Sequence, residues 1–148
     1  MKDRFTLFTK YLLDFMCYSG IFVIVTLPFS IKFYGNYNSY FKNNYYSLLV
    51  VFFLSGIFAV LIINELRKMF RSVLNDDCFI RENVISLEKM STYSFFISVI
   101  MACRHFIYIT PAVLILILVF VIAGLFSKVL AQVFDRAVTY KLENDLTI

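Results

Sequence analysis

The chain has 148 residues, 61% of them hydrophobic and 16% charged, with a mean hydropathy of +0.80 and a formal charge of +4. Soluble domains average about 45–50% apolar and about 25% charged, and a small fold lacks the interior to bury this excess, so lipid is the expected solvent and a disordered chain is excluded. The apolar supply covers four spans of about 20 residues each, whereas the modest positive charge lacks the clustered basic stripe of a nucleic-acid binder, so no direct nucleic-acid contact is expected.

Residues 1–10 are polar and carry Lys2, Arg4 and Lys10. A first span is predicted over residues 11–33, apolar apart from Asp14 and Lys32, with Pro28 as a turn or kink near its far end. It is too long for a removable signal peptide and lacks the small-residue cleavage site of one. Residues 34–44 are polar, and Tyr34, Tyr37, Tyr40, Tyr45 and Tyr46 read as an aromatic belt at a membrane surface. The second span covers residues 45–63, with Asn64 and Glu65 as boundary residues. A charged segment follows over 64–90. In it Leu66, Met69, Phe70, Val73 and Leu74 repeat at helical spacing, with Arg67, Lys68 and Arg71 on the opposite face. Asn75, Asp76 and Asp77 form a turn signal in which either Asp could cap the next helix. Ile80, Val84, Leu87 and Met90 or Ser91 make a second stripe, so the segment predicts a helical hairpin leading into a third span, 91–110. Arg104 and His105 interrupt that span, and Pro111 marks the turn after it. The fourth span covers 112–126 and continues as an amphipathic helix. Leu130, Val133, Phe134, Ala137 and Val138 form its apolar face, followed by a short polar tail from Leu142 to Ile148.

Backbone groups in lipid must pair internally, and the runs lack the alternation of a barrel, so the spans are helices. Eleven Lys and Arg residues fall at the N-terminus, in 64–90 and in the C-terminal segment, against Lys32 and Lys42 on the other side. By the positive-inside rule both termini and the hairpin are cytoplasmic. The expected fold is therefore an all-α integral membrane four-helix bundle, N-in/C-in, with cytoplasmic helical extensions and one transmembrane domain over 1–148.

The chemistry-bearing residues are few. Cys17, Cys78 and Cys103 are too few for a disulfide framework and read as free thiols. There is one histidine, His105, and no zinc-ligand spacing, nucleophile elbow, glycine-rich phosphate loop or carboxylate pair. Neither an enzyme nor a metal or cofactor site is expected. Asp14, Arg104 and His105 are the intramembrane polar residues, and such residues are functional candidates by default. Asp14 lies one turn inside the edge, near Lys10, as an interfacial acid would. Arg104 lies about 9 Å from the outer turn, within snorkelling reach. The two sit about 16 Å apart along the normal of a core about 30 Å thick, so they are not expected to pair. Ser55, Gly56 and Ala59, and likewise Ala123 and Gly124, are small residues that let helices approach closely, within the bundle or in a homo-oligomer.

The chain resembles the domain-of-unknown-function 2975 family of small bacterial four-span membrane proteins. The resemblance is carried by Leu12-Leu13-Asp14, Leu27-Pro28, the run Glu65 to Phe70, Phe79, Glu82-Asn83 and Leu87. It continues through Leu130 to Phe134, Tyr140-Lys141 and the ending Glu143 to Ile148. Cys78 departs from it, since members often place proline before the phenylalanine. The resemblance implies no enzyme activity. It implies a bacterial cytoplasmic-membrane protein that holds a small helix-turn-helix transcription regulator at its cytoplasmic face. The candidate contacts are then Arg67, Arg71, Phe79, Glu82 and Asn83 in the hairpin, and Glu143, Asn144, Asp145, Leu146 and Ile148 in the tail. On this reading the apolar stripes at 66–74, 80–90 and 130–138 are the partner surface. The alternative is a self-protection or small transport-like protein acting through the spans or the tyrosine loop.

Overall fold

A computed structural model describes residues 3–147; Met1, Lys2 and Ile148, the last a candidate contact, lie outside the described residues. The helices are α1 (Arg4–Gly35), α2 (Ser39–Asn43), α3 (Tyr45–Leu74), α4 (Arg81–Ile107) and α5 (Pro111–Leu146). No strand occurs among the described residues. Four of the helices are long and apolar enough to cross a membrane. Their outward faces carry large apolar side chains: Phe22 is 68% exposed, Phe29 76% and Ile122 64%. Water would not tolerate that surface, and a bilayer requires it. The chain is an all-α integral membrane bundle.

At 1.5 Å per residue the 32, 30, 27 and 36 residues of α1, α3, α4 and α5 run about 48, 45, 40 and 54 Å. A hydrocarbon core is about 30 Å thick, so all four outrun it, α5 by the most. One end of the bundle carries the N-terminus, the 75–80 loop and the C-terminus, and is called the basic end below. The opposite end holds α2 and the α4–α5 turn.

The helix boundaries have local causes. α1 continues through Pro28 to Gly35 rather than turning there. A proline at that point removes only one backbone hydrogen bond, and the apolar run on both sides still needs helical pairing in lipid. The expected polar loop contains a short helix, α2, begun by Asn38, whose side-chain Oδ1 accepts from the Tyr40 N–H at 3.0 Å. α3 ends in a Schellman-type motif. Asp76 adopts φ 58°, its N–H donates to the Val73 carbonyl, and the Asp77 N–H donates to the Ser72 carbonyl. Neither aspartate caps α4: its N-cap is Ile80, with no side-chain cap bond. The turn chemistry is spent on closing α3, and three more residues pass before α4 starts. α4 ends at Ile107, not 110, and Pro111 occupies the first turn of α5, where its missing N–H costs nothing. The tail is helical through Leu146.

The helices are neighbours in the order α1, α3, α4, α5. Among the described residues α1 approaches only α2 and α3 closely, and α5 approaches only α4. The α1–α3 seam is reciprocal. Gly20 receives Val60, and Gly56 receives Ile24. On the other side Gly124 lies under the Phe95 ring, and the Ser91 hydroxyl donates to the Gly124 carbonyl at 2.8 Å. Small residues thus set both close approaches.

Candidate functional site at the basic end

The three amphipathic extensions meet there. Leu87, Met90 and Ala131 form a buried cluster, with Ile62, Leu66, Met69, Leu130 and Phe134 packed on it. Val84 and Val138 are buried as well. The apolar stripes expected to form a partner surface are therefore mostly consumed by one another. Adjacent antiparallel helices that outrun the bilayer must bury their stripes, and the nearest apolar surface is the neighbouring stripe.

Polar contacts fasten this assembly. Arg67 Nε donates to Asp14 Oδ1 at 2.6 Å, and its Nη1 lies 3.4 Å from the Cys17 sulfur. The same guanidinium stands over the Tyr18 ring, 5.5 Å from the centroid. Arg67 therefore ties α3 to α1 and is not a free partner contact. Asp14 answers to Arg67, not to Lys10 and not to Arg104. Asn83 is 3% exposed, and its Nδ2 donates to Ser72 Oγ and to the Cys78 carbonyl, both at 2.6 Å. It is a clasp inside the hairpin, closed to any partner. Phe79 packs against Phe134 with the rings tilted and centroids 5.3 Å apart, holding the loop on α5. Two ion pairs add to this, Arg81 with Asp135 and Lys141 with Asp77, the latter at 2.6 Å. The Asp77 carboxylate raises the Lys141 ammonium above the ordinary lysine range.

What remains accessible is a different set. Arg71 and Glu82 are exposed on the hairpin. Glu143, Asn144 and Asp145 are exposed on the last turns of α5, and Leu146 is 86% exposed. Tyr140, Lys141, Glu143, Asn144 and Thr147 line an open depression on that helix end. Of the predicted contacts, Glu143 and Asn144 line that depression, Asp145 and Leu146 are exposed beside it, and Arg67 and Asn83 are taken up within the bundle.

At the opposite end Arg104 lies in the last turn of α4, with its guanidinium over the Phe52 ring at 5.1 Å. Because α4 stops at Ile107, Arg104 is only about 5 Å from the helix end, shallower than the sequence indicated. Its Nε and the Nδ1 of His105 are buried without a hydrogen-bond partner. The two groups are neighbours in sequence and far from Asp14, at the other end of the bundle.

Sequence reading missed several buried polar groups. Glu65 is 5% exposed and accepts from Lys68 at 3.1 Å. Ser86, Ser91, Ser94 and Ser98 are buried along α4, with Ser127 on α5. The signal existed in the hydropathy of α4, lower at 1.2 than that of the other spans, and the structure buries half of its most apolar stretch. A span that can carry serines is one shielded from lipid by its neighbours. Between the four helices lies an apolar groove of about 360 Å³, with Ser55 as its one hydroxyl-bearing wall residue. Among the described residues no three of His, Cys, Asp and Glu come together as a metal site would need.

No curated protein and no solved structure matches the chain. The sequence profile of a family described as Protein of unknown function (DUF2975) matches residues 29–148. The match leaves Leu12-Leu13-Asp14 and Leu27-Pro28 outside it and takes in α2 to α5 whole. With most of its length so matched, the chain belongs to that family.

Proposed function

We propose that this membrane protein lies in the bacterial cytoplasmic membrane with its basic end in the cytoplasm, and there retains a small helix-turn-helix regulator. The observation that carries this reading is the reach of α5. It runs about 54 Å, far beyond a 30 Å core, and its residues from 139 onward are exposed. A helix serving only the bilayer has no need of them. The exposed surface there combines Leu142 and Leu146, one turn apart on one face, with the acids Glu143 and Asp145 on either side of them. An apolar anchor rimmed by carboxylates suits a basic partner, because complementary charge steers association. The basic residues near it are partly neutralised by pairing, as Lys141 and Arg81 are.

The test is co-purification from native membranes. A tagged chain should carry a small DNA-binding protein, and Glu143→Lys with Asp145→Lys should release it while the tagged chain stays in the membrane. Removing residues 142–148 should do the same. An unchanged yield of that protein after both alterations overturns the reading.

A further inference from the structure

We propose that the groove between the four helices is a binding site for a flat, apolar molecule carrying a carbonyl acceptor, with Ser55 as the hydrogen-bond donor. The groove exists because α1 packs on α3 and does not close against α4 or α5. Its walls come from all four long helices, including Ile24, Phe52, Met101 and Phe120, and every lining residue except Ser55 is apolar. Its volume of about 360 Å³ falls within the range of small-ligand pockets.

Ser55 supplies the second observation. It is 8% exposed, it lines the groove, and its Oγ has no hydrogen-bond partner. Several other hydroxyls in these helices return their proton to the preceding turn. Thr26 donates to the Phe22 carbonyl at 3.0 Å, Thr92 to Glu88 at 3.1 Å, and Ser98 to Ser94 at 3.0 Å. Ser55 does not, and a buried orphan of this kind marks a place where a partner belongs.

Depth selects the partner. Ser55 lies ten residues into α3, about 15 Å along the helix, which is the middle of a 30 Å core. Phospholipid headgroups do not reach that level, and acyl chains there carry no acceptor. A carbonyl on a small ring system does both, and the rings of Phe52 and Phe120 offer it apolar, aromatic walls.

The full chain in lipid nanodiscs tests this with fluorenone and with fluorene, which has the same rings and no carbonyl. Retention is read as saturable binding above protein-free discs. The native chain should hold fluorenone about tenfold more tightly than fluorene, the worth of one buried hydrogen bond. Ser55→Ala removes only the hydroxyl, so it should bind the two alike and at the fluorene level. Ala59→Phe fills the groove and should bind neither. Should that variant fail to fold, Leu116→Phe, on the α5 wall, serves in its place. Equal binding of both probes by the native chain, a fluorenone preference kept in Ser55→Ala, or no saturable binding at all overturns the proposal.

Discussion

A carboxylate one turn inside an apolar helix persists only if its charge is answered, and Asp14 finds its answer fifty-three residues away in Arg67. The pair is part-buried, with side chains 29% and 19% exposed, so it is worth more than a solvated surface pair and less than a dry one. A double-mutant cycle with Asp14→Ala and Arg67→Ala should give a coupling of about 1–2 kcal/mol in reversible unfolding from mixed micelles. A coupling of zero would mean that the two charges are separately solvated. Asn83 offers a sharper contrast, because Glu82 beside it is exposed. Asn83→Ala leaves the Cys78 carbonyl and the Ser72 hydroxyl without their shared donor and should cost about 1–3 kcal/mol. Glu82→Ala should stay within about 0.5 kcal/mol. If Asn83 were instead a partner contact, its loss would weaken partner retention and leave the melting of the isolated chain unmoved.

At the scale of helices, the α1–α3 seam should resist a methyl group at either of its two glycines. A Cβ on Gly20 would meet Val60 Cγ2 at 2.9 Å, and one on Gly56 would meet Ile24 Cγ1 at 3.0 Å. Val60 and Ile24 are both β-branched, and such side chains in a helix have little room to turn aside. Gly20→Ala and Gly56→Ala should therefore each destabilise the folded chain by about 1–3 kcal/mol, measured in the same micelles; no loss at either would show that the seam relaxes freely. The existence of such close approaches was legible from the small residues at 55, 56, 59, 123 and 124. What each would face was not, since that depends on which helices become neighbours. The spans were legible for a different reason: lipid imposes one composition over about 20 residues, and the sequence shows it directly. Helix ends were read less well, because Asp76 could equally close α3 or open α4, and only the backbone geometry decides. The partner of Asp14 and the orphan hydroxyl of Ser55 were invisible for the same reason as the seams. Each is a fact about an antiparallel register, and no local pattern in the sequence encodes that register.

For the molecule as a whole, the apolar stripes at the basic end pack into an internal core, and the surface on which the proposed function can rest narrows to the exposed end of α5 with Arg71 and Glu82 of the hairpin. That narrowing makes orientation the quantity on which the functional reading turns. The basic end holds the N-terminus, the hairpin loop and the C-terminus, so all three must share one side of the membrane, and α2 with the α4–α5 turn must share the other. The proposed function takes the first side to be the cytoplasmic one, as the distribution of Lys and Arg leads one to expect. Single cysteines placed in a variant lacking Cys17, Cys78 and Cys103 would read this directly. Asn38→Cys, exposed at the start of α2, should react with a membrane-impermeant maleimide added to intact cells. Thr139→Cys, exposed on the extension of α5, should react only after the membrane is opened. The reverse pattern would put the acidic end of α5 outside the cell, out of reach of any transcription regulator. It would remove the proposed function while leaving the fold, the Asp14–Arg67 tie and the groove at Ser55 as they are.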